Sequence, residues 1–300
     1  MKYLILLLSL ITLSFLSCSS SKNNSESEIT NEIVKNGNSL LWKIEKDGYE
    51  TSYIFGTMHM IEKEHYDFTE HMTTIVNNSD AIIMEIGGQP NPLEAFAMMS
   101  LKEGKVEDFF KQDQLKDLVS FMDTKMNVTP KQFHLTYSSM KPFFILQTIT
   151  QSYFSETAIS YDMNIMQMAE ENDIPLLGFE TMEEQLGFFD QIPSEDIVDL
   201  IMNSVYNFEK EKKNTEKLQK LYAKQKVDKL IPLMKAQSPE FMEFEDVFLT
   251  NRNKAWIPKI IKETKDKKCF IAVGAAHLFD TKGLLELLRN ENYTVTAIKK

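Results

Sequence analysis

The chain has 300 residues, of which 43% are hydrophobic, enough for a substantial core and too many for a disordered chain. Its 44 acidic residues against 33 basic ones leave a formal net charge of -11, which argues against a phosphate-binding face and so against nucleic acid as a partner. The same balance argues against a broad electrostatic grip on anionic lipid.

Residues 1–17 have the layout of a secretory leader: Lys2 supplies the positive start, and Tyr3 to Leu16 is a mostly apolar run too short to span a membrane comfortably. Phe15-Leu16-Ser17-Cys18 resembles a lipobox, so Cys18 is expected to be acylated and to become the new N-terminus. The expected location is the bacterial cell envelope, outside the cytoplasm, with membrane attachment through the lipid alone. The alternative is a soluble secreted protein with an incidental cysteine. From Cys18 to residue 38 the chain is mostly polar and reads as a flexible tether. Lipidation of Cys18 would leave Cys269 as the last thiol, with no intramolecular disulfide possible; Cys269 opens an apolar run and reads as a small buried hydrophobe.

A domain over residues 39–300 follows. Leu40, Leu41, Trp42 and Ile44 predict a first strand, Lys46-Asp47-Gly48 a turn, and Ser52 to Phe55 a second strand pairing with it as a hairpin. A helix is expected from Thr69 to Asn77 and a buried strand from Ala81 to Ile86. From Pro92 to Ile261 the apolar residues keep helical spacing: Leu115, Leu118, Val119 and Met122 suit one helix, and Phe143 to Phe154 a second. Leu218, Leu221, Tyr222, Leu230 and Ile231 suggest a third, interrupted near Pro232. The mixed charges from Glu209 to Lys226 read as a solvated helix face. A helix from Asp162 to Asn172 and a strand from Ile174 to Glu180 interrupt this zone. Strand Phe270–Val273, helix Gly283–Asn290 and strand Tyr293–Ile298 close the chain. The expected fold is α/β (α+β), a small mixed sheet from both chain ends with a large helical insertion.

Two Gly-x-x-His elements, Gly56-Thr57-Met58-His59 and Gly274-Ala275-Ala276-His277, each follow an apolar strand run. Ligands gather beyond the carboxyl ends of strands in open α/β sheets, glycine allows close backbone approach there, and an imidazole can serve as ligand, acid or base. Glu85 lies in a strand predicted to be buried, where a carboxylate needs a metal, a cation or a hydrogen-bond network. Two histidines and a carboxylate suit a divalent Zn, Mn, Fe or Co ion better than Ca. The structural alternative pairs Glu85 with a cation such as Arg252. Glu180 also ends a strand and is a candidate ligand or supporting group. His65 and His71 are expected at the surface, and His134, between Phe133 and Leu135, is expected to pack.

Taken in order, Leu41-Trp42 with its hairpin, Gly56-Thr57-Met58-His59, Glu85, Asp162 ahead of a helix, Gly178-Phe179-Glu180-Thr181 with Gln185, Arg252-Asn253 with Trp256, and Gly274-Ala275-Ala276-His277 resemble the TraB/GumN family. That family includes the Tiki metalloproteases and the TraB/PrgY pheromone-shutdown proteins. The chain departs from its pattern at Ser160-Tyr161-Asp162, where Gly-x-Asp is usual, and at Lys141-Pro142-Phe143, where Lys-Pro-Trp is usual. The resemblance maps His59, His277 and Glu85 onto the family's metal and catalytic positions. The expected activity is metal-dependent hydrolysis of peptides or proteins, with Glu180 as ligand or base and Arg252 stabilising negative charge on an attacked carbonyl. The rivals are a non-catalytic lipoprotein that binds a peptide or signal, and a structural envelope protein.

Overall fold

The structure is a computed structural model that describes residues 37–88, 92–237 and 244–299. The expected leader, Cys18 and the tether up to residue 36 lie outside the described residues. Among the described residues no helix is long and apolar enough to cross a membrane.

Six strands form one mixed sheet: β1 (Leu41–Glu45), β2 (Ser52–Thr57), β3 (Ala81–Ile86), β4 (Leu176–Glu180), β5 (Cys269–Gly274) and β6 (Thr294–Ile298), in the spatial order β4-β3-β5-β2-β1-β6. β1 runs antiparallel to β2 and β6, while β2, β5, β3 and β4 pair in parallel. The hairpin forms as expected, with Gly48 at φ 78° in its turn, a conformation that favours glycine. Parallel pairing puts the carboxyl ends of β2, β5, β3 and β4 along one edge of the sheet. Thr57 of β2 lies opposite Gly274 of β5, so the two Gly-x-x-His elements leave neighbouring strands side by side.

Among the described residues twelve helices surround or extend this sheet: α1 (Glu70–Asn77), α2 (Pro92–Met99), α3 (Gln112–Met126), α4 (Pro130–Tyr137), α5 (Pro142–Gln151), α6 (Tyr161–Glu171), α7 (Met182–Phe189), α8 (Ser194–Tyr206), α9 (Phe208–Ala223), α10 (Val227–Gln237), α11 (Asn251–Thr264) and α12 (Leu284–Asn290). They divide the apolar interior in two. One cluster packs on the sheet around Trp42, Ile54, Ile82, Phe270 and Trp256. The other lies inside the helical insertion around Leu118, Phe144, Ile149, Ile201 and Phe248. The mixed α/β class and the helical insertion agree with the sequence.

Three local expectations are corrected. The third helix is in fact two, α9 and α10, and the break falls at Lys224–Lys226 rather than at Pro232. Gln225 takes the left-handed conformation at φ 49°, and Lys226 N–H closes back on Leu221 O at 2.9 Å, a helix-ending turn; Pro232 sits inside α10. His134 does not pack: it is exposed, with Nδ1 2.7 Å from Glu107. The charged face of α9 is not wholly solvated, because Glu211 is fully buried on the same side as Thr215, Leu218 and Tyr222. His71 is exposed as expected, His65 is half-buried, and Cys269 is buried, its thiol pushed up to about 12 by burial.

Candidate functional site

His59, Glu85, Arg252 and His277 line one cavity of about 70 Å³ beyond the strand ends. His59 lies just past β2. The next turn is pinned by an antiparallel bridge between Ile61 and Ile159, which brings the start of α6 beside it. Ser160 caps α6 by accepting from Met163 N–H, and Asp162 in its first turn meets His59, with Nδ1 and Oδ2 2.5 Å apart. A carboxylate only accepts, so in the neutral ring Nδ1 of His59 carries the proton and Nε2 keeps a lone pair for the cavity. Burial disfavours charge on this imidazole, but the charge and hydrogen bond of Asp162 outweigh it and raise the His59 pKa.

His277 lies in a short 3₁₀ turn after β5 and is held differently. Its Nδ1 is 2.7 Å from Asn253 Oδ1, while Asn253 Nδ2 donates to the carbonyls of His277 and Lys282. Those two acceptors fix the amide's orientation, so His277 donates from Nδ1 and turns an unprotonated Nε2 inward. Arg252 Nη1 approaches that nitrogen at 3.3 Å. Burial, reinforced by the Arg252 charge, brings the His277 pKa down to about 3, so the ring is neutral at physiological pH.

Arg252 binds the two carboxylates together. It starts α11 after a π turn in which Asn251 N–H reaches back to Asp246 O, and its side chain is 3% exposed. Nε and Nη2 fork onto Glu180 at 2.8–3.1 Å, Nη2 also reaches Glu85 Oε2 at 2.7 Å, and Nη1 donates to Phe248 O at 3.0 Å. Glu180 further accepts from Trp256 Nε1 at 2.9 Å; Glu85 accepts from Gln185 Nε2 at 3.1 Å and from Gly274 N–H at 2.8 Å. Burial pushes the Glu85 carboxyl up, but Arg252, then His277 and His59, hold it well below the usual carboxylate range. The ion pair foreseen as the structural alternative for Glu85 is therefore present.

The residue types also fit a divalent metal. A Cβ on Gly274 would stand 3.3 Å from Glu85 Oε1, 3.7 Å from His277 Cδ2 and 3.8 Å from His59 Nε2, so the missing side chain leaves a cradle among three donors. Glu85 Oε1, which keeps a lone pair beyond its bond to Gly274, is 3.8 Å from His277 Nε2. Each imidazole donates its other ring N–H to a protein oxygen, as metal-ligating histidines do. The donors do not stand as a closed cage: among the described residues no three His, Cys, Asp or Glu side chains are grouped closely enough to hold an ion.

The five predicted residues of this centre, His59, Glu85, Glu180, Arg252 and His277, thus come together, while Cys18 lies outside the described residues. Asp162, Gln185, Asn253 and Trp256 carried no expected role of their own, yet each holds a member of the centre. Their signal in the sequence is a place in the family resemblance and a polar or aromatic side chain in the first turns of a helix, neither of which names a role. Trp256 shows why such a signal is faint: fully buried, stacked on Phe179 and 4.5 Å from His277, it reads as core until its indole N–H is traced to Glu180. No curated protein and no solved structure matches the chain. The model of the TraB/PrgY/gumN family matches residues 40–297, which carry β1 to β5, all of β6 but Ile298, and every residue of this centre, and the chain belongs to that family.

Proposed function

We propose that the protein is a metal-dependent hydrolase of peptides or proteins, acting outside the cytoplasm and tethered to a membrane through lipidated Cys18. The observation that carries the reading is the pair of imidazoles. His59 and His277 leave adjacent parallel strands, give Nδ1 to protein oxygens and turn Nε2 toward the Gly274 cradle beside Glu85. Their two Nε2 atoms, with Glu85 Oε1, would hold a Zn, Mn, Co or Fe ion. A divalent ion there would polarise an amide carbonyl and make a bound water acidic enough to lose a proton near neutral pH.

The remaining residues act through position and charge. Asp162 and Asn253 fix the two ring orientations. Glu85 is kept ionised by Arg252, as a ligand must be. Glu180 and Trp256 hold the guanidinium, whose Nη1, now shared between Phe248 O and His277, is the donor best placed to turn toward a developing oxyanion.

The test is metal analysis of the purified protein with a peptide-cleavage screen, repeated on His59→Ala and His277→Ala. Bound transition metal and cleavage, both lost in the variants, are expected. No metal together with unchanged activity in the variants would refute the proposal. Tight peptide binding without cleavage would favour the sequestering role instead.

A further inference from the structure

The polar centre forms only one side of its cavity. The facing wall comes from the helical insertion: Leu218 and Tyr222 of α9, Leu230 and Met234 of α10, and Phe248 and Leu249 of the π turn. Each helix pair is spaced i, i+4 and so presents one face. We propose that this wall is a specificity subsite for a single apolar side chain of the substrate, of the size of Leu or Met, beside the bond to be cut. This inference rests on the hydrolase reading for the bond but not for the side chain.

Size and polarity choose the occupant. The cavity of about 70 Å³ is well short of the roughly 300–1,000 Å³ of a drug-sized ligand site. It therefore suits one side chain and not a lipid tail or a whole cofactor. Two polar residues of α9, Thr215 and Tyr222, also line the cavity; the Tyr222 hydroxyl already donates to Gly56 O at 2.8 Å. The Leu, Met and Phe side chains of this wall give water no hydrogen-bond partner, so an apolar group gains by displacing it from them. Leu218, Leu230 and Phe248 are buried, whereas Met234 and Leu249 are half-buried. Met234 is unbranched and can adjust to an entering side chain.

The wall and the chemistry can be tested apart. The full chain carrying methyl-labelled methionine would be titrated with acetyl-leucinamide, acetyl-alaninamide and acetyl-glutamamide, with and without added Zn. The Met234 signal would be assigned by its loss in Met234→Leu. The leucine amide should bind about tenfold or more tightly than the alanine amide, with the Met234 methyl moving as it binds. Met234→Glu should erase that preference, and Met234→Gln, nearly isosteric, should reduce it should the glutamate variant fail to fold. Equal affinity for the leucine and alanine amides, or a Met234 methyl that stays still at saturation, would overturn the subsite. Peptide cleavage with no preference for an apolar residue would also overturn it while leaving the hydrolase intact. Leucine-selective binding without cleavage under any metal would support the subsite and refute the hydrolase.

Discussion

Replacing Gly274 by alanine separates the fold from the chemistry with one methyl group. Gly274 has φ -52° and ψ 136°, which alanine adopts without strain. Alanine at a compatible glycine position stabilises a protein by about 0.4–1 kcal/mol through the unfolded chain. Against that stands a 3.3 Å approach to Glu85 Oε1, the end of a side chain, with the other two contacts at ordinary distances. Stability should therefore change by less than about 1 kcal/mol. The methyl would nevertheless fill the space among His59 Nε2, Glu85 Oε1 and His277, and metal affinity should fall at least as far as the roughly 10–100-fold that follows loss of an outer-shell partner. Gly56→Ala is the control: its Cβ would lie 2.8 Å from Leu278 Cδ1 and 3.0 Å from the Ala275 backbone, an overpacking worth about 1–3 kcal/mol of stability. Urea unfolding and calorimetric metal titration of both variants would decide. A Gly274→Ala protein that binds metal and cleaves peptide like the parent would refute the cradle, as would one destabilised more than Gly56→Ala.

Three other outcomes are expected. Arg252→Met should cost about 3–5 kcal/mol in urea unfolding at pH 7.5, because buried carboxylates lose their cation; the gap from the parent should narrow at pH 5, where a Glu85 without Arg252 can take up a proton, and a gap that ignores pH would count against this account. His277, folded at about 3 and unfolded near 6.5, binds more protons in the unfolded state, so its contribution to stability is complete above about pH 6.5 and is lost as pH falls toward 3; His277→Gln should show a shallower acid loss between those limits, and an unchanged pH profile would contradict it. Cys269, with its thiol near 12, should resist a thiol reagent at pH 8 until urea unfolds the chain, and rapid labelling of the native protein at this position would show that its strand opens.

The sheet was legible because strand, turn and motif lie in short runs. Ala81–Ile86 has the same bounds in sequence and structure, and the Lys46-Asp47-Gly48 turn announces its hairpin. The Gly-x-x-His pair was legible for the same reason, since each histidine follows its own strand. What stayed hidden is whatever one segment does for another. Nothing near His59 in sequence points to Asp162, 103 residues away, and nothing near Glu85 points to Gln185, 100 residues away. The break at Gln225 was missed because left-handed glutamine has no compositional marker, while Pro232 draws attention where the helix continues. His134 was misread because its neighbours Phe133 and Leu135 suggested packing, but Leu135 is itself 75% exposed and α4 turns only Phe133 inward.

Charge ties the stability of the centre to its ligand. Two acidic side chains, Glu85 and Glu180, converge on the single guanidinium of Arg252, with the N–H groups of Gln185, Gly274 and Trp256 and the neighbouring His59 and His277 to soften the excess. The cluster is thus short of positive charge, and a divalent cation at His59 and His277 would offset the deficit. Removing Arg252 deepens it. The apo form of Arg252→Met should therefore be the least stable, yet added Zn or Mn should raise its unfolding midpoint by more than it raises the parent's, because a ligand stabilises in proportion to its affinity for the folded state. Equal or smaller metal rescue in the variant would mean that Arg252 and the metal do not answer the same charge, and Glu85 would then belong to the ion pair alone.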